Sequence, residues 1–399
     1  MLNACFLALT LSSSFQAPPN SAATAGRVEA LVESAWQQSD DIVIDAKRQK
    51  DLDRDIELGK QYAKEVEKEL KLSEDEGAIK RVKAIGEEMA AIANSTRANV
   101  TWGDNRPAKF NYEFRVVKGE DVNAFSLPGG IIYVYEGLVK YAESDDELAG
   151  VLGHEISHAA FRHVWALNRK SEKLQIATLL AVLAAALAKS TDAANLATGA
   201  QLGAQSITSG WSQDAERASD YGGLQFVMKS RYDPTGCVTF MERLARDERA
   251  KGSIDWGIFR THPPSKERVQ ALLGYMQKLN LPIRRSAVTT SFRTVVKPGD
   301  DGTVEAWFNG RRIYTFAGAD ALDRADAAAQ KLDQFFDQVP HMIEVTSGDG
   351  AVIYKHKPIL EIAPSDAQAQ NTSVQGLTEM TTKTIKGSLF SLAYRVWGN

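Results

Sequence analysis

One short stretch of this chain carries residues that could bind a metal ion and use it. His154-Glu155-Ile156-Ser157-His158 has the pattern H-E-x-x-H. On a helix, residues four apart project from one face, so both imidazoles can share a single zinc ion. Glu155 lies about 100° further around the helix and can reach a water on the open side of that metal. The pattern predicts a zinc site with Glu155 as general base. The alternative is a coincidental match in which the two His residues satisfy buried groups.

A catalytic zinc requires a third protein ligand, and the downstream chain offers a pair of carboxylates. Glu216 and Asp220 are one helical turn apart in Ser212-Gln213-Asp214-Ala215-Glu216-Arg217-Ala218-Ser219-Asp220. One of them can bind metal while the other accepts a hydrogen bond from a ligand imidazole. We predict that Glu216 is the ligand and that Asp220 holds the imidazole. The same spacing would also suit a solvated acidic face.

The motif needs a helix, and the sequence supplies one. Ser144 and Glu147 form a capping-box pattern, and apolar residues then recur at helical spacing. This predicts an uninterrupted helix from near Asp145 to about Lys170. Upstream, the periodicity predicts helices over 41–70 and 73–93, and strands over 110–117 and 131–135 that pair as a small sheet.

The pattern changes after Val288 to short strands separated by turn residues. We predict strands over 292–296, 304–308, 312–316, 342–345 and 352–359, with helices over 320–338 and 373–395. Asn309-Gly310 predicts a tight hairpin. The fold class is therefore α+β, with a mostly helical domain over 26–285 and a smaller α+β module over 288–399 whose role the sequence does not identify.

Length and charge limit the classes of function. A chain of 399 residues is long enough for a main domain and a smaller module. Its formal net charge of -4, without a Lys/Arg-rich stripe, argues against nucleic acid as a partner.

Residues 1–25 contain an apolar stretch followed by small residues, which predicts a signal peptide. The alternative is a disordered, mildly apolar tail. We therefore expect an exported protein, periplasmic or membrane-associated on the extracytoplasmic side. Cleavage would leave Cys237 as the only thiol and exclude an internal disulfide.

Residues 176–188 are the most apolar stretch of the mature chain. Thirteen residues of helix cover only about 20 Å, too little for a bilayer core. A buried helix is the prediction, and a peripheral membrane contact is the alternative.

Several motifs together resemble a known family. H-E-x-x-H is followed about sixty residues later by E-x-x-x-D. Further landmarks are Ile56-Glu57-Leu58-Gly59, the segment 123–130 (Asn-Ala-Phe-Ser-Leu-Pro-Gly-Gly), Arg162-His163, and His262-Pro263 with Arg268. Over about residues 50–280 the chain resembles metallopeptidase family forty-eight. Ser219 stands where that family usually has Ala.

The resemblance implies a gluzincin fold with one zinc bound by His154, His158 and Glu216. Asp220 would hold a ligand imidazole, and Glu155 would be the catalytic base. It also places Arg268 and His262 in a segment that approaches the metal, which makes both candidates for stabilising an oxyanion.

Two histidines have alternative predicted roles. His163 is a third candidate for the oxyanion role, although packing within the helix bundle is the simpler interpretation. His262, followed by two prolines, could instead occupy the fourth zinc position and keep the enzyme latent.

The segment 123–135 is expected to supply an edge strand on which a substrate lies extended, with Asn123, Ala124, Gly130 and Tyr133 along it. The expected substrates are unfolded or misassembled polypeptides, and the resemblance implies envelope protein quality control. For the C-terminal module three roles stay open: recruiting substrate, docking to a partner complex, or regulating access to the cleft. Two rival functions remain: a zinc-containing chaperone or binding module with latent or lost proteolysis, and a structural interaction protein. Glu155 favours catalysis, because a purely structural zinc site needs no acidic base.

Overall fold

Helices and small three-stranded sheets alternate along the chain, which gives the predicted α+β fold. The computed structural model describes residues 42–170, 213–251 and 266–392. These residues belong to one compact unit.

Two helices open the described chain, close to their predicted bounds. Helix α1 spans Ala46–Glu69 and helix α2 spans Glu76–Ser95. Each begins at an aspartate whose side chain accepts a hydrogen bond from a backbone N–H of the first turn: Asp45 from Arg48 N, and Asp75 from Ala78 N. Such caps satisfy N–H groups that have no partner within the helix.

The first sheet contains β1 (Glu113–Val117), β2 (Ala124–Leu127) and β3 (Ile131–Tyr135) in the order β1-β3-β2. Strand β3 pairs with β1 in parallel and with β2 in antiparallel register, so it lies in the centre and is buried throughout. The expectation that Gly130 and Tyr133 belong to the edge strand is therefore wrong. The alternating pattern that identifies a strand does not tell which strands flank it.

The helix expected to run without interruption to Lys170 is broken in the structure. Helix α3 (Glu136–Tyr141) precedes α4 (Asp145–Ala160), and α5 starts only at His163. Arg162 lies between α4 and α5 in a left-handed conformation with φ 51°.

The Arg162 guanidinium explains this break. It donates to Asp55 at 2.5 and 2.8 Å and to Asp104 at 3.0 Å, and all three side chains are buried. Helical periodicity cannot reveal these partners, because they lie more than fifty residues away in sequence.

Helix α4 is the central element of the N-terminal part. Around it lie α2, strand β2, and the later helices α6 (Gln213–Val227) and α7 (Gly236–Lys251). Helix α8 (Lys266–Lys278) packs on α6 and α7. The element that carries H-E-x-x-H is thus held from several sides.

The C-terminal module begins with the short helix α9 (Arg285–Val288) and a 3-10 turn over Thr290–Phe292. It continues with a second sheet, a helix, a third sheet and two further helices. The elements are β4 (Val295–Pro298), β5 (Val304–Phe308), β6 (Arg311–Phe316), α10 (Ala321–Asp337), β7 (Val345–Gly348), β8 (Ala351–Tyr354), β9 (Lys357–Glu361), α11 (Pro364–Ala369) and α12 (Val374–Leu392).

The predicted β5–β6 hairpin is confirmed, with Asn309 and Gly310 at φ 49° and 73°. The single strand predicted over 352–359 is wrong. Lys355 and His356 have φ 48° and 64°, and they turn the chain between β8 and β9. The strand predicted over 342–345 is misplaced, because Met342–Glu344 form a 3-10 turn and β7 begins only at Val345. Helix α11 was missed because it is short.

Polar contacts join the C-terminal module to the N-terminal part. Glu143 accepts hydrogen bonds from Thr289, Thr290 and Ser291, and the buried guanidinium of Arg285 donates to Glu242 at 2.7 and 2.8 Å. The module has its own apolar cluster, distinct from the one around α4. The domain boundaries over 26–285 and 288–399 stay predictions.

Three sequence-based expectations fall on residues outside the described ranges: the signal peptide over 1–25, the apolar stretch 176–188 and the roles of His262. They stay predictions. Among the described residues, no helix combines the length and hydropathy needed to cross a bilayer.

Candidate active site

Helix α4 begins at the residue that the sequence indicates. The Ser144 hydroxyl accepts a hydrogen bond from Glu147 N at 3.2 Å. Glu147 does not return a bond to the cap residue. Its carboxylate accepts instead from Glu143 N at 2.9 Å and from Arg243 at 2.6 Å, so the start of α4 is also tied to α7.

Helices α4 and α6 approach each other closely where both carry glycine. A Cβ added to Gly223 would lie 2.8 Å from His154 N, and one added to Gly153 would lie 3.2 Å from the Cα of Gly223. Only glycine leaves room for this contact. The Gly222-Gly223 pair, two turns after Glu216, is the sequence signal that could have indicated the α4–α6 packing.

This packing brings the three predicted metal ligands together. His154 Nε2 lies 3.0 Å from His158 Nε2 and 3.5 Å from a carboxylate oxygen of Glu216. His158 Nε2 lies 3.4 Å from the other oxygen of Glu216. Ligands of a tetrahedral zinc, each about 2.0–2.1 Å from the ion, are about 3.3 Å from one another. The three donor atoms therefore have the spacing that such an ion requires.

The second nitrogen of each ligand imidazole is engaged away from this point. His154 Nδ1 lies 2.9 Å from Asp220 Oδ1, which can only accept when ionised, so His154 carries its proton on Nδ1. His158 Nδ1 lies 3.0 Å from His163 Nδ1. His163 Nε2 lies 3.1 Å from the Trp102 carbonyl and must donate to it, which leaves His163 Nδ1 to accept from His158. Both ligand rings thus direct a lone pair at the shared point.

The electrostatics of the cluster favour a cation there. Burial opposes a charge on His154, but Asp220 and Glu216 outweigh it and raise the pKa of His154 to about 10. Burial lowers the pKa of His158 well below its usual range, so the neighbouring imidazole stays neutral. Two carboxylates thus favour one positive charge between the rings, and a divalent ion would supply it in place of a proton. The donor set fits a metal ion.

Arg268, which the sequence analysis named as a candidate for stabilising an oxyanion, contacts the two carboxylates of the cluster. Its guanidinium donates to both oxygens of Asp220 at 2.8 and 2.7 Å, and Nη1 lies 3.0 Å from Glu216. Burial raises the pKa of Asp220, but Arg268 outweighs that effect and lowers it to about 2, so Asp220 stays ionised. These contacts hold both carboxylates in place.

His163, the third candidate for the oxyanion role, makes a contact that the sequence did not reveal. It is buried in the helix bundle, as the simpler interpretation held, but it also bonds to His158. Burial lowers the pKa of His163 to about 4, so it is neutral and can accept that hydrogen bond. Arg162 and the break before α5 place it there. The signal in the sequence was Arg162-His163 directly after the motif.

Glu155 lies on α4 beside the first ligand and is 1% exposed. It lines a cavity of about 60 Å³ together with His154, Asp220 and Arg268. The remaining wall is largely apolar and comes mostly from α4 and α7, with Val151, Cys237, Phe240, Met241, Leu244 and Leu272. Burial raises the pKa of Cys237 to about 12, so its thiol is protonated and acts as part of the wall. The Glu155 carboxylate and the His154 imidazole therefore share one small cavity with a largely apolar wall.

Of the expected substrate-strand residues, two lie at the start of an edge. Asn123 and Ala124 lead into β2, whose one partner in the sheet is β3, and β2 contacts α4. Tyr133 instead is buried and directs its side chain towards α1, where its hydroxyl donates to Glu67 at 2.8 Å. A role for β2 in holding substrate stays a proposal.

Comparison with known proteins gives matches to both parts of the chain. The pattern of "Peptidase family M48" matches residues 79–276, and that of a "Domain of unknown function (DUF8459)" matches residues 304–391. The first match covers α2 to α8 and every ligand named above.

Curated relatives cover the same region. Metalloprotease LoiP of Escherichia coli (strain K12) is 30% identical over 183 residues, which are 46% of this chain and 67% of that protein. The beta-barrel assembly-enhancing protease of Yersinia pestis is 28% identical over 225 residues, 55% of this chain and 43% of that protein. The mitochondrial metalloendopeptidase OMA1 of Schizosaccharomyces pombe is 30% identical over 165 residues, 40% of this chain and 45% of that protein. The chain thus spans less than half the length of the second and third relatives.

Proposed function

The chain belongs to peptidase family M48, and from that premise we propose that it is a zinc-dependent endopeptidase with Glu155 as general base. The observation that carries this proposal is the convergence of His154, His158 and Glu216, whose donor atoms all lie within 4.8 Å of one another. Two imidazoles and one carboxylate are a donor set typical of catalytic zinc, with a fourth position left for water or substrate.

Zinc in this position would polarise the scissile carbonyl and lower the pKa of a bound water towards about 7. The residues of the chain do the rest. Glu155 accepts the proton of the attacking water and then donates it to the nitrogen of the leaving amine. Its burial beside apolar α7 residues strengthens these charge interactions, because little water screens them.

Three further residues keep the ligands in position. Asp220 and His163 fix which nitrogen of each ligand imidazole carries the proton, and Arg268 holds Asp220 and Glu216 in place. Supporting groups of this kind raise metal affinity by about 10- to 100-fold. A hydrogen-bond donor for the oxyanion is still required, and His262 stays the candidate.

We propose that the substrates are unfolded or misassembled polypeptides, in envelope protein quality control after export. An extended chain can pair with the edge of β2 that has no strand partner among the described residues, and such pairing demands little sequence specificity because backbone groups form the bonds. The name of the Yersinia relative, a beta-barrel assembly-enhancing protease, supports a role close to protein assembly.

The test compares wild type, Glu155→Gln and the control Glu87→Gln, which makes the same change at an exposed position on α2. Cleavage of unfolded casein and zinc content are measured for each. We expect wild type and the control to cleave, and Glu155→Gln to lose at least 100-fold in activity while keeping one zinc per chain. Zinc absent from wild type would refute the metal assignment. Zinc and casein binding without cleavage in wild type would favour the chaperone alternative.

A further inference from the structure

A second, larger cavity lies outside the catalytic site, where the C-terminal module meets α7. Its volume is about 570 Å³, within the range of small-ligand and peptide sites. Helix α7, the 3-10 turn at residues 290–292, strand β4 and the β5–β6 hairpin all contribute to its wall. Nothing in the catalytic mechanism uses it.

The wall of this cavity is strongly basic. It carries the four cations Arg246, Arg293, Lys297 and Arg311, and one carboxylate, Asp247. Asp247 is already engaged, since it accepts from Arg246 Nε at 3.0 Å and from the Tyr141 hydroxyl at 3.2 Å. In the described part of the chain, no carboxylate lies within ion-pair distance of Arg293, Lys297 or Arg311. Glu305 and Asp333 lie near Lys297 and Arg293 without forming ion pairs with them. The excess of positive charge in the wall, on a chain of net charge -4, favours the binding of an anion.

Several of these groups are held in place before any ligand arrives. Arg293 donates to the carbonyls of Ser286 and Ala287 at 2.7 and 3.2 Å. Lys297 Nζ lies 5.1 Å from the centre of the Trp307 ring, whose Nε1 donates to Glu305 at 2.8 Å. Guanidinium forks match carboxylates in geometry, and the indole adds an apolar surface beside them.

The arrangement favours an extended acidic chain over one compact anion. The four cations come from four different places in the chain: helix α7, the end of the 3-10 turn, strand β4 and strand β6. The same wall carries the apolar side chains of Val295, Trp307 and Phe308, which suits a polypeptide that alternates carboxylates with apolar side chains.

Helix α7 connects this cavity with the catalytic one. Phe240, Met241 and Leu244 line the catalytic cavity, whereas Arg246 and Asp247 line the basic one. Leu244 and Arg246 are separated by about 3 Å along the helix axis and by about 200° around it, so the two cavities lie on different sides of α7. A polypeptide held in the basic cavity would have to pass around this helix, about 10 Å across, to reach the catalytic cavity.

We propose that the basic cavity is an exosite that binds an acidic segment of the polypeptide substrate. The proposal rests on the proposed endopeptidase function, but binding can be tested without cleavage. The full-length, zinc-loaded Glu155→Gln protein is titrated against a fluorescent peptide that alternates Glu with Leu, and against its Gln counterpart, with fluorescence anisotropy as the readout. We expect the acidic peptide to bind about tenfold tighter, and its affinity to fall as salt rises.

Substitution of two exposed cations of the cavity tests whether they bind the acidic peptide. In the Glu155→Gln background, Lys297→Gln with Arg311→Gln should remove most of the preference for the acidic peptide. Lys383→Gln is the control, because Lys383 is an exposed cation of the same module that does not line the cavity. Equal binding of the two peptides would overturn the proposal. So would retention of the preference in the double variant, or competition by inorganic phosphate at lower concentration than by the acidic peptide.

Cleavage separates this proposal from the proposed function. Peptides with one common cleavable segment and either an acidic or a Gln-containing flank are given to the zinc-loaded protein with Glu155 intact, with and without the two cavity substitutions. We expect the substitutions to raise KM for the acidic substrate and to leave kcat unchanged. Cleavage of both substrates with equal KM would refute the exosite alone. If the acidic peptide binds selectively but neither substrate is cleaved, the proposed endopeptidase function alone would be refuted.

Discussion

His163 Nδ1 lies 3.0 Å from His158 Nδ1, so one imidazole sets the protonation of the next. Because His163 donates from Nε2 to the Trp102 carbonyl, its Nδ1 can only accept, and His158 must present Nε2 to the metal. A histidine that would not itself bind the ion thus decides which nitrogen of a ligand does.

The first prediction concerns this chain of hydrogen bonds from the Trp102 carbonyl through His163 to His158, here called the relay. His163→Phe keeps an aromatic ring in the bundle but cannot accept the hydrogen bond from His158. We expect zinc affinity to fall by about 10- to 100-fold, measured by competition with a chromophoric chelator. The control is His356→Asn, an exposed histidine in a turn with φ 64°, a conformation that Asn tolerates. Unchanged zinc affinity in His163→Phe would refute the relay.

The second prediction separates positioning from oxyanion stabilisation at Arg268. Arg268→Lys keeps the charge but loses the two-pronged contact with Asp220. We expect both zinc affinity and kcat/KM to fall about tenfold or more. A group that only stabilised the oxyanion would lower kcat and leave zinc affinity intact, and that result would contradict our assignment. Arg284→Lys is the control, since it alters an exposed Arg–Asp pair with Asp233.

The third prediction concerns the break between α4 and α5. Arg162→Asn tolerates the left-handed backbone but leaves Asp55 and Asp104 without this buried cation. Breaking a buried ion pair from one side costs about 3 to 5 kcal/mol. Chemical denaturation should show a loss of that size in the free energy of unfolding. Arg312→Gln, which breaks an exposed pair, should cost about 1 kcal/mol or less. Similar losses in the two variants would contradict the role of Arg162.

The fourth prediction concerns pH and the contact between the two parts of the chain. Burial raises the pKa of Glu143, but hydrogen bonds from Ser291 and Thr289 outweigh it and lower the pKa to about 2. A depressed carboxyl pKa stabilises the folded state above the unfolded pKa, and this contribution is lost as pH falls towards 2. Glu143→Gln should therefore lower the free energy of unfolding at pH 7 by up to about 3 kcal/mol, and by much less near pH 2.5.

Denaturation of wild type and Glu143→Gln at both pH values provides the measurement. Glu344→Gln, at an exposed carboxyl of the C-terminal module, should show no such pH-dependent difference. A constant difference between wild type and Glu143→Gln at the two pH values would show that Glu143 does not act through its charge.

Particular elements show where sequence reasoning reached its limit. The β5–β6 hairpin was predictable because Asn309-Gly310 fixes the turn locally, whereas the turn at Lys355 and His356 has no such pair and was missed. The central position of β3 was not visible, because a strand's neighbours are chosen by the whole sheet. The same limit applies to Arg268, because its contact with Asp220 joins residues 48 apart in sequence.

The sequence by itself determined the H-E-x-x-H pattern, the fold class and the position of the proposed general base. His154, Glu155 and His158 are fixed relative to one another by the helix period alone, which is a local property of the backbone. Only the tertiary structure decided that Glu216 lies beside the two imidazoles, that Arg268 donates hydrogen bonds to Asp220, and that His163 accepts one from His158. Arg162 and the Gly153–Gly223 contact bring these groups together from positions about fifty or more residues apart, and local periodicity carries no information about such contacts.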